Sequence, residues 1–297
     1  MKKNLITFSV LFTYSLSSFA IRNGIEIKLE DRKFPNIVMI ESIGTCTGQR
    51  ISYDKIITAS HCIEKTHSRD KSFTVTYLDG EKIRSEKIPY SKAKKKSKDL
   101  SMELIVFPIN PESSEDMFKP NKVIDLTSGT EIIPSSLIIA GYGVTAEGNN
   151  TNKILRFGRS YFDNIKNSDE KNFLIGLNAN PVQKQEQHKP CLRDFNTDKK
   201  DEIDLLESQF NEIEFEGKKD QVVCRGDSGG PAYARTTSGE LIFLGIQSHA
   251  VYTGDLNVRN ASDKDLCEAF SKSYVIPVSI HQKYLEKNGI SIELYNN

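Results

Sequence analysis

Short apolar runs separated by polar turns recur along most of this chain. They are Asn36–Ile40, Phe73–Leu78, Leu104–Phe107, Ser136–Ala140, Ile154–Phe157, Asn172–Leu177 and Leu241–Gln247. Many contain Ile, Val, Phe or Tyr, whose branched and aromatic side chains suit a pleated, half-buried surface. Short strands at this spacing predict an all-β fold, a barrel or a sandwich. Two segments read differently. Val278 to Asn288 carries Ile280, Tyr284 and Leu285 on one helical face, with Gly289 as a stop, and predicts a C-terminal helix. Lys199 to Phe210 carries Ile203, Leu206 and Phe210 at spacings of three and four, a second amphipathic pattern. It lies in a stretch, residues 183–219, rich in Lys, Glu, Asp and Gln.

A length of 297 residues allows one large domain or two smaller ones, and a hydrophobic content of 37% allows a sizeable core. The formal net charge is zero, so nothing calls for nucleic acid or an anionic membrane as a partner. The basic run Lys92 to Lys98 reads as a solvated surface loop. The first 20 residues read as a signal peptide: Lys2 and Lys3, an apolar stretch from Leu5 to Leu16, then small residues ending at Ala20. No later segment is apolar enough for a membrane anchor. The expectation is a secreted protein, extracellular or periplasmic, able to form disulfides. Its five cysteines are Cys46, Cys62, Cys191, Cys224 and Cys267. They show no Cys-x-x-Cys or clustered Cys/His spacing, so neither a metal site nor a cofactor is expected.

The chemistry-bearing motifs lie at three places. Gly226-Asp227-Ser228-Gly229-Gly230-Pro231 sets a hydroxyl among backbone N–H groups, in a segment whose glycines admit angles closed to other residues. Donors beside a nucleophile are what a developing oxyanion needs, although a short Gly/Ser/Asp segment is most often a plain turn. Thr58-Ala59-Ser60-His61-Cys62 places a histidine at the end of an apolar run. Such a residue is either a structural histidine or the base a serine hydroxyl requires. Lys98-Asp99-Leu100-Ser101-Met102 puts an aspartate just ahead of the apolar Leu104–Phe107. It is either a loop residue or a group held by a partner, with Glu103 as a weaker rival for the same role.

In these three motifs, and in their order along the chain, the sequence resembles the trypsin/chymotrypsin family of serine proteases. The Gly-Asp-Ser-Gly-Gly-Pro motif is complete, and the His motif differs only by Ser60. Phe34–Val38, Gly141-Tyr142-Gly143, Leu244–Ser248 and Tyr274–Leu285 resemble further family segments, whereas the region from about 158 to 222 matches poorly. The resemblance implies two antiparallel β-barrels, the first over about 21–125 and the second over about 130–297. The charged stretch 178–221 becomes an insertion in the second barrel that either restricts access, binds a partner or merely decorates the surface. It implies a secreted endopeptidase in which Ser228 is the nucleophile, His61 the base and Asp99 the group orienting the imidazole. The N–H groups of Gly226 and Ser228 would form the oxyanion hole.

The resemblance also implies pairing of a freed Ile21 amino group with Asp227. Cleavage after Ala20 would leave Ile21-Arg22-Asn23-Gly24 as the new terminus, so removal of the signal would itself activate the enzyme. The plainer alternative makes Ile21 the first residue of a frayed end. Disulfides Cys46–Cys62 and Cys224–Cys267 follow from the family pattern, which leaves Cys191 either free or as the rival partner of Cys224. The implied pocket for the side chain before the cut comprises Val222, Val223, Ser248, His249 and Ala250. Its valines predict a small or medium apolar residue and not a cation. The partners implied are protein or peptide substrates and a proteinaceous inhibitor. The rival reading is a protease fold that binds a partner without catalysis.

Overall fold

A computed structural model describes Ile21 and residues 24–27, 34–42, 44–63, 71–93, 104–126, 136–143, 154–166, 174–178, 223–235, 240–252, 261–262, 265 and 270–295. The protein is mostly β, as the apolar runs predict; each of them coincides with or overlaps a strand. The amphipathic segment 199–210, most of the charged stretch 178–221, and the residues Asp99, Glu103, Val222, Cys191 and Cys267 lie outside the described residues.

The first strand, β1 (Ile25–Ile27), is followed by six that form one antiparallel sheet. These are β2 (Ile37–Glu41), β3 (Thr45–Ser52), β4 (Lys55–Ala59), β5 (Ser72–Asp79), β6 (Lys82–Pro89) and β7 (Leu104–Pro108). Their order is β6-β5-β2-β3-β4-β7. Alternation is clearest in β5, where Phe73, Val75 and Tyr77 are buried between half-exposed Thr74 and Thr76, the period of a strand with one face in the core.

The remaining strands are β8 (Val123–Ile124), β9 (Ser136–Gly141), β10 (Leu155–Lys166), β11 (Leu174–Asn178), β12 (Pro231–Arg235), β13 (Leu241–Tyr252), β14 (Phe270–Pro277) and β15 (Leu294–Tyr295). Together with β1 they form a nine-stranded sheet in the order β12-β9-β10-β11-β14-β13-β8-β15, with β1 on β10. Strand β12 also pairs with β13, so β12-β9-β10-β11-β14-β13 is a closed ring of pairings. Two short strands cross the division expected from the sequence: β1 pairs with β10, and β8 with β13 and β15.

One apolar cluster spans both sheets, from Ile37, Ile56 and Phe107 to Tyr233, Phe243 and Ile276. A second, including Ile21, Leu137, Ile139, Val223 and Val275, lies on the nine-stranded sheet. A polar network also crosses between the sheets. Asn36 donates to Lys119 and Asn121, Gln49 donates to Asn121, and the Tyr233 hydroxyl donates to Gln49 Oε1 at 2.6 Å. Arg50 of β3 is buried with its N–H groups on the carbonyls of Tyr53 and Leu78 and its plane over Phe118. The expected C-terminal helix is present as a 3₁₀ turn, Ser279–His281, running into α1 (Gln282–Lys287). Its Tyr284 hydroxyl accepts the N–H of Val106 in β7, which fixes the chain end to the six-stranded sheet. Among the described residues no helix is long and apolar enough to cross a membrane.

Candidate functional site

The Gly226–Pro231 segment is a pair of tight turns leading into β12. Gly226 and Gly229 adopt positive φ, 97° and 79°, angles that a side chain makes costly. Gly229 also lies so close to Thr47, Thr58 and Ala59 that a Cβ there would clash with backbone. The serine turn is therefore seated directly on the ends of β3 and β4. Thr47, fully buried, makes the joint. Its N–H donates to the Ser228 carbonyl at 2.9 Å, and its hydroxyl donates to the Gly226 carbonyl at 3.0 Å and accepts the Tyr142 N–H at 2.9 Å.

His61 sits in the 3₁₀ turn Ser60–Cys62 that continues β4, exposed while Ser60 and Cys62 are buried. The turn is pinned by the disulfide Cys46–Cys62, as the resemblance implied. A ring nitrogen of His61 lies within 4.8 Å of both sulfurs, and Cys62 Sγ lies 3.5 Å from the Ser228 carbonyl oxygen. The structure thus brings the histidine turn and the serine turn against each other, one from each sheet. The cluster Cys46, His61 and Cys62 has metal-like proximity, but its sulfurs are oxidised and offer no thiolate to an ion. Asp99, the expected third group, is outside the described residues; β7 begins five positions after it.

Asp227 is the electrostatic centre of the serine turn. It is buried, and its carboxylate accepts the N–H of Cys224 at 2.9 Å, of Gly143 at 2.8 Å and of Ile21 at 3.4 Å. Burial pushes its carboxyl up to about 6 against the opposing pull of those donors and of Arg156. Gly141 and Gly143 flank it so closely that a Cβ on either would overlap the carboxylate, which gives the Gly-Tyr-Gly segment a physical reason. Ile21 is 1% exposed and packs with Val223, Leu137 and Ile139. Beside it, Glu26 of β1 pairs with buried Arg156 at 2.7 Å.

The N–H groups of Gly226 and Ser228, expected as oxyanion donors, have no acceptor among the described residues. Ser228 itself is half-exposed. Strand β13 runs alongside: Gly229 donates to the Gln247 carbonyl and Gln247 donates to the Gly230 carbonyl, both at 2.7 Å. Of the expected pocket residues, Val223 is buried in the apolar cluster and the Ser248 hydroxyl bonds His249 Nδ1 at 2.9 Å. The His249 ring lies on Tyr274, with centroids 4.9 Å apart. Cys224 is disulfide-bonded, and its partner lies outside the described residues. Thr47 and Arg156 carry no signal in the sequence, whereas Gly143 and Gln247 lie in the segments Gly141-Tyr142-Gly143 and Leu244–Ser248 singled out there, without a role assigned to either. No protein-family model matches the chain, and no curated protein matches it either.

Proposed function

We propose that this chain is an exported serine endopeptidase built as two chymotrypsin-like barrels. In this reading Ser228 attacks a peptide carbonyl, His61 takes its proton and returns it to the leaving amine, and Asp99 steadies the imidazolium. The bond that breaks is the scissile C–N bond. A serine ester forms and is then hydrolysed by water, which restores Ser228. The observation that carries the reading is the seating of the serine turn on the histidine turn, through Thr47, Gly229 and Cys62. Two others support it. The N–H groups of Gly226 and Ser228 are unclaimed within the described residues, as an oxyanion hole requires. Asp227 is held where a cation at Ile21 would meet it.

The six-stranded sheet supplies His61 and the ring of pairings in the nine-stranded sheet supplies Ser228, an arrangement that fits two barrels with the site between them. Signal cleavage after Ala20 would both export the chain and create that cation. Protein or peptide substrates follow from this chemistry. The test is hydrolysis of an unfolded protein substrate by the chain beginning at Ile21, beside its Ser228→Ala and His61→Ala variants. Loss of all but a trace of activity in both variants is expected. Undiminished hydrolysis in either, or none by the parent, overturns the proposal.

A further inference from the structure

Three buried polar side chains of the nine-stranded sheet have no hydrogen-bond partner among the described residues. They are both amide atoms of Gln247 and the hydroxyls of Ser273 and Ser160, on residues that are 2%, 0% and 0% exposed. Unpaired groups at this depth are costly and scarce in folded proteins, and each calls for a reason.

Register places all three on one face. Gln247 lies opposite Val275, and Ser273 is two positions before Val275 on the same strand. Ser160 lies opposite Leu137, and Leu137 and Val275 belong to one apolar cluster together with Val223. A bulge between Gln247 and Ala250 leaves Ala250 opposite Ser273, so Gln247 and Ala250 share that face. His249 is turned onto Tyr274, the neighbour of Ser273. The face that carries the unpaired groups therefore also carries Val223 and Ala250, two of the residues expected to line the pocket. It is tied to the nucleophile because Gln247 exchanges backbone hydrogen bonds with Gly229 and Gly230.

We infer, resting on the endopeptidase reading, that Gln247 and Ser273 make the substrate site specific for a neutral carboxamide, Gln or Asn, in the residue before the cut. The glutamine offers an NH2 donor group and a carbonyl acceptor, and the serine hydroxyl serves as either. A substrate amide matches both. An apolar side chain would leave the three groups unpaired, and sites built around buried hydrogen bonds reject such analogues strongly. A carboxylate has no hydrogen to give the Gln247 oxygen, and Arg156, on the same strand as Ser160, is paired through Nη2 with Glu26 and also acts on Asp227. It differs from the apolar preference expected from Val222 and Val223, and the experiment below separates the two.

The experiment uses the chain from Ile21 and a peptide series differing only in the residue before the scissile bond: Gln, Asn, Glu, Leu, Met and Arg. Gln or Asn should exceed Leu and Met by roughly 100-fold in kcat/KM, with Glu below Gln. Gln247→Leu, close in volume, should bring the Gln-to-Leu ratio to about one or below while Ser228 still reacts with a phosphonofluoridate. Ser273→Ala should lower the same ratio in part, and carries the test if Gln247→Leu does not fold. A parent enzyme that prefers Leu, Met or Arg overturns the inference, as does a ratio unchanged by the variants. Failure of the underlying reading looks different: no peptide is cleaved and Ser228 does not react, and both proposals fall together.

Discussion

Retaining Ala20 ahead of Ile21 should destabilise the protein at neutral pH and silence it. In the uncut chain the Ile21 nitrogen is a neutral amide 3.4 Å from the Asp227 carboxylate, and burial raises that carboxyl from 3.8 to about 6. A carboxyl raised in the folded state stabilises the fold below its ordinary value, and that contribution is lost as pH rises through the folded value. The uncut chain therefore gives up about 3 kcal/mol between pH 4 and pH 7, at 1.36 kcal/mol per unit. A free α-ammonium at 3.4 Å gains about 5 kcal/mol at an effective dielectric of 20. Part of this is spent on desolvating the ammonium, and the remainder offsets the cost. The chain beginning at Ile21 should thus be more stable than the chain keeping Ala20 by about 3 kcal/mol at pH 7, and the gap should close below pH 4. The protein has no tryptophan, so urea unfolding is followed by circular dichroism at each pH, beside peptide hydrolysis. A purely steric effect of Ala20 would give a gap independent of pH. Such a gap, or equal stability and activity at pH 7, refutes the reasoning.

Three further outcomes are expected. Thr47→Val keeps the shape but strands the buried Gly226 carbonyl and Tyr142 N–H; urea midpoints should show a loss of about 1–3 kcal/mol, and kinetics a fall in kcat larger than the change in KM. Tyr233→Phe leaves Gln49 Oε1 without its donor and should cost about 1–3 kcal/mol. Adding Gln49→Leu should then cost less than it does alone, as a double-mutant cycle reads directly. Burial pushes the His281 imidazole down to about 4, so the stability it contributes is present above pH 6.5 and lost as pH falls toward 4, about 3 kcal/mol in all. His281→Gln should flatten that part of the pH–stability curve.

The strands were legible because their side chains obey simple alternation or continuous burial, as in Phe73, Val75 and Tyr77 of β5 and in the buried Ile56, Ile57, Thr58 and Ala59 of β4. The C-terminal helix was legible for the same reason at a different period, with Tyr284 and Leu285 buried. The contact between Ile21 and Asp227 and the Cys46–Cys62 disulfide were legible only through resemblance; no local pattern links residues so far apart. What stayed hidden is the work of polar residues inside strands. Thr47 and Gln49 are polar residues of β3, and both are buried because they hydrogen-bond across to the other sheet. Arg50 is buried because aromatic rings and carbonyls receive it. Sheet membership was hidden as well: Ile25–Ile27 is short and carries no signal that its partner is β10, some 130 residues away.

The most direct measurement is the reaction of the chain beginning at Ile21 with a phosphonofluoridate, read by intact mass and then by peptide mapping. One label per molecule, confined to Ser228 and lost in His61→Ala, is the predicted result. A folded protein of the same processing that takes no label, or takes it elsewhere, contradicts the account.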